Sequence, residues 1–305
     1  MAASSPMGLL DPNIIRNLPS IELLARLLVQ GAYAHMHRCK DYGYSVEFVD
    51  HREYMLGDEP RHIDWKMLAR TERWYVKRFE MESNMDVSIV LDVSGSMGYR
   101  PDDKKRLTKF EYARFLSAAL SYLVNKQNDA PGFISFGTDL RDYFPPKQGK
   151  RHLYSILARL SELGAEEGVG TDLDNVLQKI AIRMKRRGLV VVFSDFYGDT
   201  EVITDGLKQI SARGHELLVF HLVDTDERDF PFRQLTSFRD LETGGQLLND
   251  PLLGRRVYKR RFNRFQEEVR EGTHAAGGDY RFITTADPIE FVLRDYLLYR
   301  RQANR

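Results

Sequence analysis

The chain has 305 residues, a formal net charge of +1 and a single cysteine, Cys39. This length holds one large domain with an appendage or two modest domains, and the balanced charge gives no global field that would indicate nucleic acid or an anionic membrane. One cysteine excludes an internal disulfide framework and is typical of a reducing compartment. No apolar run approaches the roughly 20 residues of a membrane-spanning helix, and residues 1–10 lack the basic start and apolar centre of a secretory signal. We therefore expect a cytoplasmic protein without a membrane span.

The N-terminal part of the chain predicts a flexible start, a helix and a small β subdomain. Residues 1–19 carry no helical pattern, whereas Ser20 is a suitable N-cap for a helix over residues 21–30 that ends at a glycine. Residues 44–54 and 74–80 alternate like strands. We interpret residues 20–84 as this helix followed by a small β subdomain.

The stretch at residues 85–97 organises the rest of the chain. Residues 87–91 form a short apolar run that is typical of a strand buried on both faces in a parallel sheet. Asp92, Ser94 and Ser96 follow at alternate positions. Three hard oxygen donors at the carboxyl end of a strand suit a small cation such as Mg²⁺, and ligands of open α/β sheets bind at that edge. The same residues also suit an ordinary turn in which Ser and Asp cap nearby amides, so this stretch alone leaves both interpretations open.

From residue 85 onward, strand-like runs alternate with amphipathic helical stretches. A capping box at residues 108–111 begins one such helix, whose apolar side would pack on a sheet. Further strand-like runs are at residues 133–136, 140–144, 189–193, 216–223 and 279–284. This alternation predicts a doubly wound α/β domain with a mainly parallel sheet over residues 85–286, followed by a C-terminal helix over residues 287–305.

Two further oxygen donors lie in this α/β domain. Thr171 opens a helix, either as a simple N-cap hydroxyl or as a loop hydroxyl directed at a cation. Asp195 follows a strongly apolar strand and places a second carboxylate at a strand's carboxyl end. Because such ends meet at one edge of a parallel sheet, we expect both residues to join Asp92, Ser94 and Ser96 there.

Two charged clusters have structural interpretations. The acidic residues after the strand at 216–223 are interpreted as a solvated turn, and they are Asp224, Asp226, Glu227 and Asp229. A basic ridge on the predicted helix over residues 255–272 consists of Arg256, Arg260 and Arg264. We interpret the ridge as a solvated face that pairs with acids such as Glu268, with phosphate binding as the alternative.

The five oxygen donors resemble the metal-ion-dependent adhesion site of von Willebrand factor A domains. That family's pattern is Asp-x-Ser-x-Ser, then a distant Thr and a distant Asp, and all five positions are matched. The resemblance implies a von Willebrand factor A-like, Rossmann-like fold that binds Mg²⁺ or Mn²⁺. It also implies that Ser94 and Ser96 contact the metal directly, Thr171 directly or through water, and Asp92 and Asp195 mostly through water.

A second set of matching residues lies in the segment before this domain. These residues are Glu47-Phe48, His51-Arg52-Glu53-Tyr54, Gly57-Asp58, Arg61, Ile63-Asp64-Trp65, Ala69-Arg70-Thr71 and Glu80. They resemble the signature of a bacterial family of uncharacterised von Willebrand A-like proteins that typically accompanies MoxR-type AAA ATPases. The resemblance covers nearly the whole chain from Ile21. It implies a MoxR-type ATPase as partner. The small β subdomain, with Arg52, Asp58 and Trp65, is our alternative to the metal site as the surface that docks this ATPase.

The chemistry of the predicted site favours binding over catalysis. Hydroxyl ligands leave the metal's charge incompletely offset, so an open position could accept a carboxylate from another protein. The sequence shows no evident general base or second metal, no Gly-x-Ser-x-Gly and no phosphate-cradling Gly-x-x-x-x-Gly-Lys. We therefore predict a non-enzymatic, metal-dependent adaptor or co-chaperone of a MoxR-type ATPase, whose client offers an Asp or Glu. The alternatives are a metal-dependent phosphohydrolase and a nucleic-acid binder that uses the basic ridge.

Overall fold

The structure is a computed structural model and describes residues 20–38, 51–54, 65–71, 73–77, 85–99, 106–165, 173–241, 244–249 and 251–303. Its contacts divide the chain into two compact units, of which the smaller is His37–Ser83 and the larger comprises Met1–Met36 and Asn84–Arg305. The first described helix, α1, spans Ile21–Arg38 and continues past the glycine at which we expected it to end.

The smaller unit contains a two-stranded antiparallel sheet and a short helix. Strand β1 (His51–Glu53) pairs with β2 (Tyr75–Lys77), and helix α2 (Trp65–Thr71) lies between them in sequence. The ring centroid of Trp74 lies 6.2 Å from those of Tyr54 and Trp65, so three aromatic rings form a small cluster. The described strands are shorter than the predicted ones, whose remaining residues lie outside the described part of the chain.

A six-stranded sheet forms the centre of the larger unit. Its strands are β3 (Asp86–Asp92), β4 (Ala130–Phe136), β5 (Leu140–Phe144), β6 (Gly188–Ser194), β7 (Glu216–Val223) and β10 (Asp279–Thr284). They lie in the order β10-β7-β6-β3-β4-β5. All neighbours are parallel except β5, which runs antiparallel at the edge next to β4. The predicted strand at residues 140–144 and the mainly parallel sheet are both confirmed.

Helices cover both faces of this sheet. They are α3 (Lys109–Lys126), α4 (Lys150–Glu162), α5 (Leu173–Arg183), α6 (Thr200–Ala212), α7 (Thr225–Asp229), α8 (Pro251–Ala275) and α9 (Ile289–Ala303). A hairpin of β8 (Thr236–Arg239) and β9 (Gln246–Asn249) forms a separate two-stranded antiparallel sheet. The order of strands and helices confirms the predicted von Willebrand factor A-like α/β fold.

The apolar character of β3 follows from burial on both faces. Ile89 and Leu91 belong to a core formed with α1, α3, α4 and α9, whereas Val90 belongs to a second core formed with α5, α6 and α8. Because each face meets a layer of helices, a parallel strand in this position is apolar at successive residues and does not alternate. This is the pattern from which the strand was predicted.

Helices α1 and α9, which lie outside the range 85–286 of the predicted α/β domain, pack on the sheet of that domain. Leu24 and Leu28 of α1 and Leu293 and Tyr296 of α9 belong to the same core as the sheet. These helices complete the cover over one face of the α/β unit and are parts of that unit. None of the helices in the described part of the chain is long and apolar enough to cross a bilayer.

A nearly buried ion pair attaches α9 to the start of β4. Arg300 donates from Nη2 to Oδ2 of Asp129 at 2.6 Å, and the backbone N–H of Met85 donates to Oδ1 at 2.9 Å. The side chains of Arg300 and Asp129 are only 10% and 3% exposed. Removing one partner of such a pair leaves an unpaired charge in a poorly hydrated position.

Replacing this arginine should destabilise the protein. We expect Arg300→Met to lower the free energy of unfolding by about 3 kcal/mol, measured by urea denaturation, because the Asp129 carboxylate loses its counter-ion. The double variant Arg300→Met/Asp129→Asn should lose less, since it leaves no unpaired charge. Arg264→Met is the control, because Arg264 pairs with Glu268 on an exposed helix surface and should cost about 0–1 kcal/mol. Equal losses in Arg300→Met and the control would contradict this role for the pair.

Candidate functional site

Two neighbouring parallel strands bring the predicted donors to one edge of the sheet. Asp92 is the last residue of β3, and Asp195 directly follows β6. The two strands pair in register from Asp86 with Gly188 to Leu91 with Phe193, so their carboxyl ends lie side by side. After β3 the chain forms one 3-10 turn at Ser96–Gly98. The two serines of the motif therefore stand on the loop that directly follows β3.

The Asp92 carboxylate is held in a fixed orientation at the end of β3. Its Oδ1 accepts from the backbone N–H of Ser94 at 2.9 Å, and its Oδ2 accepts from the Ser194 hydroxyl at 2.5 Å. Ser194 Oγ in turn accepts from the backbone N–H of Phe196 at 2.8 Å. Asp92 is almost fully buried. These hydrogen bonds link the ends of β3 and β6 through a single carboxylate.

Four of the five predicted donors come together. The hydroxyl oxygens of Ser94 and Ser96 lie 3.1 Å apart, and the Ser96 hydroxyl also hydrogen-bonds Asp195. Asp92 is close enough to Asp195 for the two carboxylates to repel each other. Thr171 lies outside the described residues, so its place in this site remains a prediction.

A buried lysine that we did not predict contacts the site. Lys109 donates from Nζ to Oδ2 of Asp195 at 2.7 Å and to Oε1 of Glu227 at 2.6 Å. It is the first residue of α3, whose N-cap is Thr108 in the predicted capping box. A cation is unfavourable at the positive end of a helix dipole, and this local conflict is the signal in the sequence that could have singled out Lys109.

The predicted solvated acidic turn is wrong for Asp224 and Glu227. Asp224 is the buried N-cap of α7, and its backbone N–H donates to Oε2 of Glu227 at 2.7 Å. This capping box directs Glu227 towards Lys109, whereas Asp229 remains exposed beside Arg228. The clustered acids therefore neutralise buried and half-buried cations, and only the end of the turn is solvated.

Burial and charge shift the pKa values of this cluster in opposite directions. Burial raises the pKa of Asp92 to about 7, with repulsion from Asp195 adding to the effect and hydrogen bonds from Ser194 and Ser94 opposing it. Burial also raises the pKa of Asp195, but the charge and hydrogen bond of Lys109 outweigh it and hold this pKa below its usual value. Burial alone would lower the pKa of Lys109, but its two carboxylate partners raise it above its usual value.

The cluster carries more negative than positive charge. With every group ionised, the carboxylates of Asp92, Asp195 and Glu227 face one ammonium, that of Lys109, so two negative charges stay uncompensated within the cluster. A divalent cation would supply the missing charge. The donor oxygens come from carboxylates and hydroxyls, which fit Mg²⁺ or Mn²⁺ better than Zn²⁺. Among the described residues, no group of three or more His, Cys, Asp or Glu side chains could hold a metal, so the serine hydroxyls are essential to this fit.

An aromatic cavity of about 540 Å³ lies on one side of Asp195. Tyr258, Phe262 and Phe265 of α8 line it, together with the buried pair of Lys109 and Asp195. His221 also lines this cavity, but burial lowers the pKa of His221 to about 4. Its Nδ1 lies 2.8 Å from the Tyr280 hydroxyl, and four aromatic rings surround it edge-on. The imidazole is thus neutral and fixed within the core.

The other predicted binding residues are only partly described. Trp65 is 61% exposed and packs edge-on against Trp74 within the smaller unit. Asp58 and the side chain of Arg52 lie outside the described residues, so their docking role remains a prediction. On the basic ridge, Arg264 donates to Glu268 at 2.8 Å, which confirms the expected pairing of that ridge with an acid on its own helix.

Three known proteins are similar to this chain over about two thirds of its length or more. An uncharacterised protein of Mycobacterium tuberculosis is 25% identical over 235 residues, which cover 77% of this chain and 73% of that protein. A serine-substituted form of an aerotolerance-related membrane protein from Bacteroides fragilis is 19% identical, with a TM-score of 0.48, over 70% of this chain and 97% of that one. The SpRpn10 von Willebrand factor A domain is 11% identical, with a TM-score of 0.40, over 68% of this chain and 94% of that domain.

The family comparison covers most of the chain. The family described as "Protein of unknown function DUF58" matches residues 50–272, which include the smaller unit's described strands and the sheet from β3 to β7. This chain therefore belongs to the DUF58 family.

Proposed function

We propose that this protein is a non-enzymatic, metal-dependent protein-interaction module that acts as an adaptor or co-chaperone of a MoxR-type AAA ATPase. Its metal, Mg²⁺ or Mn²⁺, would be held by Asp92, Ser94, Ser96 and Asp195, with Thr171 as the fifth predicted donor. The observation that carries the proposal is the convergence of four oxygen donors at the ends of β3 and β6, beside a surplus of negative charge.

The proposed site suits binding better than catalysis. When bound, the cation offers an open coordination position to a carboxylate of another protein. The residues of this chain hold and orient the donors: Ser194 fixes Asp92, and Lys109 fixes Asp195. The position two residues after Asp92, where an aspartyl phosphotransferase usually carries a second acid, is occupied by Ser94. His221 is neutral and enclosed by aromatic rings, which makes it a poor general base.

The proposal of an ATPase partner rests on the residues before the α/β domain that resemble the signature of the bacterial family. That segment includes the smaller unit, in which Trp65 and Trp74 are both exposed. Exposed tryptophans are frequent anchors of protein interfaces, so this unit is a second candidate for the surface that docks the ATPase. In that arrangement the client protein would bind at the edge of the sheet that carries the proposed metal site.

Metal affinity should depend on the loop serines. We expect Ser96→Ala to weaken Mn²⁺ binding at least tenfold in calorimetric titrations, because it removes a neutral oxygen donor and leaves both carboxylates in place. Asp92→Ala should remove binding, and its fold is checked by circular dichroism because the substitution also removes the buried hydrogen bonds from Ser94 and Ser194. Ser155→Ala is the matched control, because Ser155 is an exposed hydroxyl on α4 that bonds only within its own helix. Unchanged Mn²⁺ affinity in both site variants would refute the assignment.

Two substitutions next to the proposed ligands should change metal affinity in opposite directions. Lys109→Met removes a positive charge beside Asp195 and should tighten Mn²⁺ binding at least tenfold, whereas Glu227→Gln removes a negative charge and should weaken it. In EDTA, Lys109→Met should also melt below the wild type, because two carboxylates lose their counter-ion, and Mn²⁺ should restore more stability to it than to the wild type. A shift of both affinities in the same direction would show that charge does not govern the site.

The affinity for the ATPase, measured with and without metal, distinguishes the two candidate docking surfaces. We expect a purified MoxR-type ATPase from the same organism to bind the wild type, with the affinity measured by surface plasmon resonance in Mg²⁺ and in EDTA. If a metal bridge mediates docking, EDTA and Asp195→Ala should each weaken the complex at least tenfold. If a complex forms and EDTA leaves its affinity unchanged, the metal-bridged arrangement is wrong for the ATPase, and Trp65→Ala becomes the variant expected to weaken docking.

A further inference from the structure

A second cavity, of about 740 Å³, opens beside the loop that carries Ser94 and Ser96. Gly95 and Gly98 of that loop form part of its wall, and other parts come from the first turns of α3, from residues 163–165, from Asp226 and from strand β8 with its flanking residues. It lies against the proposed metal edge and is lined by different side chains from the aromatic cavity. A ligand in this cavity would therefore be a neighbour of any group bound at that edge.

Arg114 lines this cavity as a half-buried cation that has no carboxylate partner among the residues that the structure describes. Its Nη1 donates to the carbonyl of Leu163 at 3.3 Å, and its guanidinium carbon lies 5.0 and 5.7 Å from the ring centroids of Phe115 and Phe110. A guanidinium has five N–H donors, and its Nε is buried with no hydrogen-bond partner. Burial lowers the pKa of Arg114, and the charge of Glu111 offsets this only in part.

The other charged groups that line the cavity are Arg239 and two carboxylates. Arg239 is exposed at its wall and forms no ion pair among the described residues. The two carboxylates that line the cavity are already engaged, because Glu111 accepts from the backbone N–H of Thr108 at 2.9 Å and Asp226 accepts from Arg106 at 2.9 Å. Arg114 and Arg239 thus lack a carboxylate partner in the described part of the chain, although two carboxylates that are engaged by other groups also line the cavity.

We propose that this cavity binds a carboxylate side chain of the partner protein between Arg114 and Arg239, next to the carboxylate at the metal. This inference rests on the proposed function and deepens it, because it predicts that the partner presents two acidic residues in one segment. Guanidinium groups bind carboxylates through paired hydrogen bonds, which suits the free donors of Arg114. A singly charged carboxylate fits better than a doubly charged phosphate, since Glu111 and Asp226 would repel the second charge.

The test uses fluorescein-labelled peptides of Gly and Ser that carry one Glu, or two Glu separated by one to four residues. We expect the best two-Glu peptide to bind the Mn²⁺-loaded wild type at least tenfold more tightly than the one-Glu peptide, measured by fluorescence anisotropy. Arg114→Met should abolish this advantage and leave the one-Glu affinity in Mn²⁺ unchanged. Arg256→Met, on the exposed ridge of α8, is the control and should leave both affinities unchanged.

The free energy of unfolding distinguishes a binding role of Arg114 from a structural role. Because the guanidinium of Arg114 is partly desolvated without a counter-ion, Arg114→Met should leave the free energy of unfolding unchanged or raise it. A loss of more than about 1 kcal/mol, the value of an ordinary hydrogen bond, would show that Arg114 serves the fold and would overturn the proposal.

The outcomes separate this inference from the proposed function. If EDTA abolishes all peptide binding but Arg114→Met leaves the two-Glu advantage intact, the metal site stands and the arginine site is wrong. If EDTA changes nothing and Arg114→Met still weakens peptide binding, the arginine site stands and the metal-dependent function is wrong. Absence of any peptide binding would contradict the inference, as would displacement of the two-Glu peptide by equimolar inorganic phosphate.

Discussion

The contact between Lys109 and Asp195 is the interaction on which the carboxyl edge of the sheet depends. Without the ammonium, buried Asp195 and partly buried Glu227 would be two unpaired carboxylates at close range, and burying unpaired charge costs several kcal/mol. With it, Asp195 stays ionised, and its other oxygen, which accepts from the backbone N–H of Tyr197 at 3.3 Å, is not used by the lysine. Lys109 compensates only part of the negative charge, so a cation at this edge would be attracted to it. A lysine at this position therefore stabilises the fold, and it would limit how strongly the proposed divalent cation is held.

The fold explains why the edge can be polar while the sheet beneath it is apolar. Parallel strands buried on both faces offer few positions for polar side chains, so oxygen donors collect where the strands end. Asp92 and Asp195 reach the same place because β3 and β6 are neighbours in register. The loop after β3 then needs only one 3-10 turn to place Ser94 and Ser96 beside them. The chemistry of the edge is thus a direct consequence of strand order.

The sequence predicts the framework of this site better than its charge balance. The strands β3 and β6 are predictable because long apolar runs have few alternatives in an α/β chain, and Asp92, Ser94, Ser96 and Asp195 follow from where those runs end. Lys109 and Glu227 are not predictable in this way, because they are 118 positions apart and meet only through the packing of α3 against α7. A capping box was predicted at α3 from its local pattern, whereas the similar box at α7 was interpreted as a solvated turn. Local pattern gives the turn, but tertiary packing decides whether its carboxylates face water or a buried ammonium.

A network of charged groups connects the loops that follow three strands of the sheet. Arg106, ahead of α3, donates to Asp226 at 2.9 Å and also bonds Asp224 and Thr225, while the hydroxyl of Tyr99 donates to Asp226 at 3.2 Å. These contacts fix α7 against the chain that leaves the β3 loop. Because α7 carries Glu227, they also fix the second partner of Lys109 and, through Lys109, the Asp195 carboxylate after β6. Hydrogen-bond networks of this kind act as a unit, so displacement of the β3 loop by a bound partner would change the electrostatic environment of Asp195 without touching it. If the proposed cation and partner bind at this edge, this network would couple the two binding events.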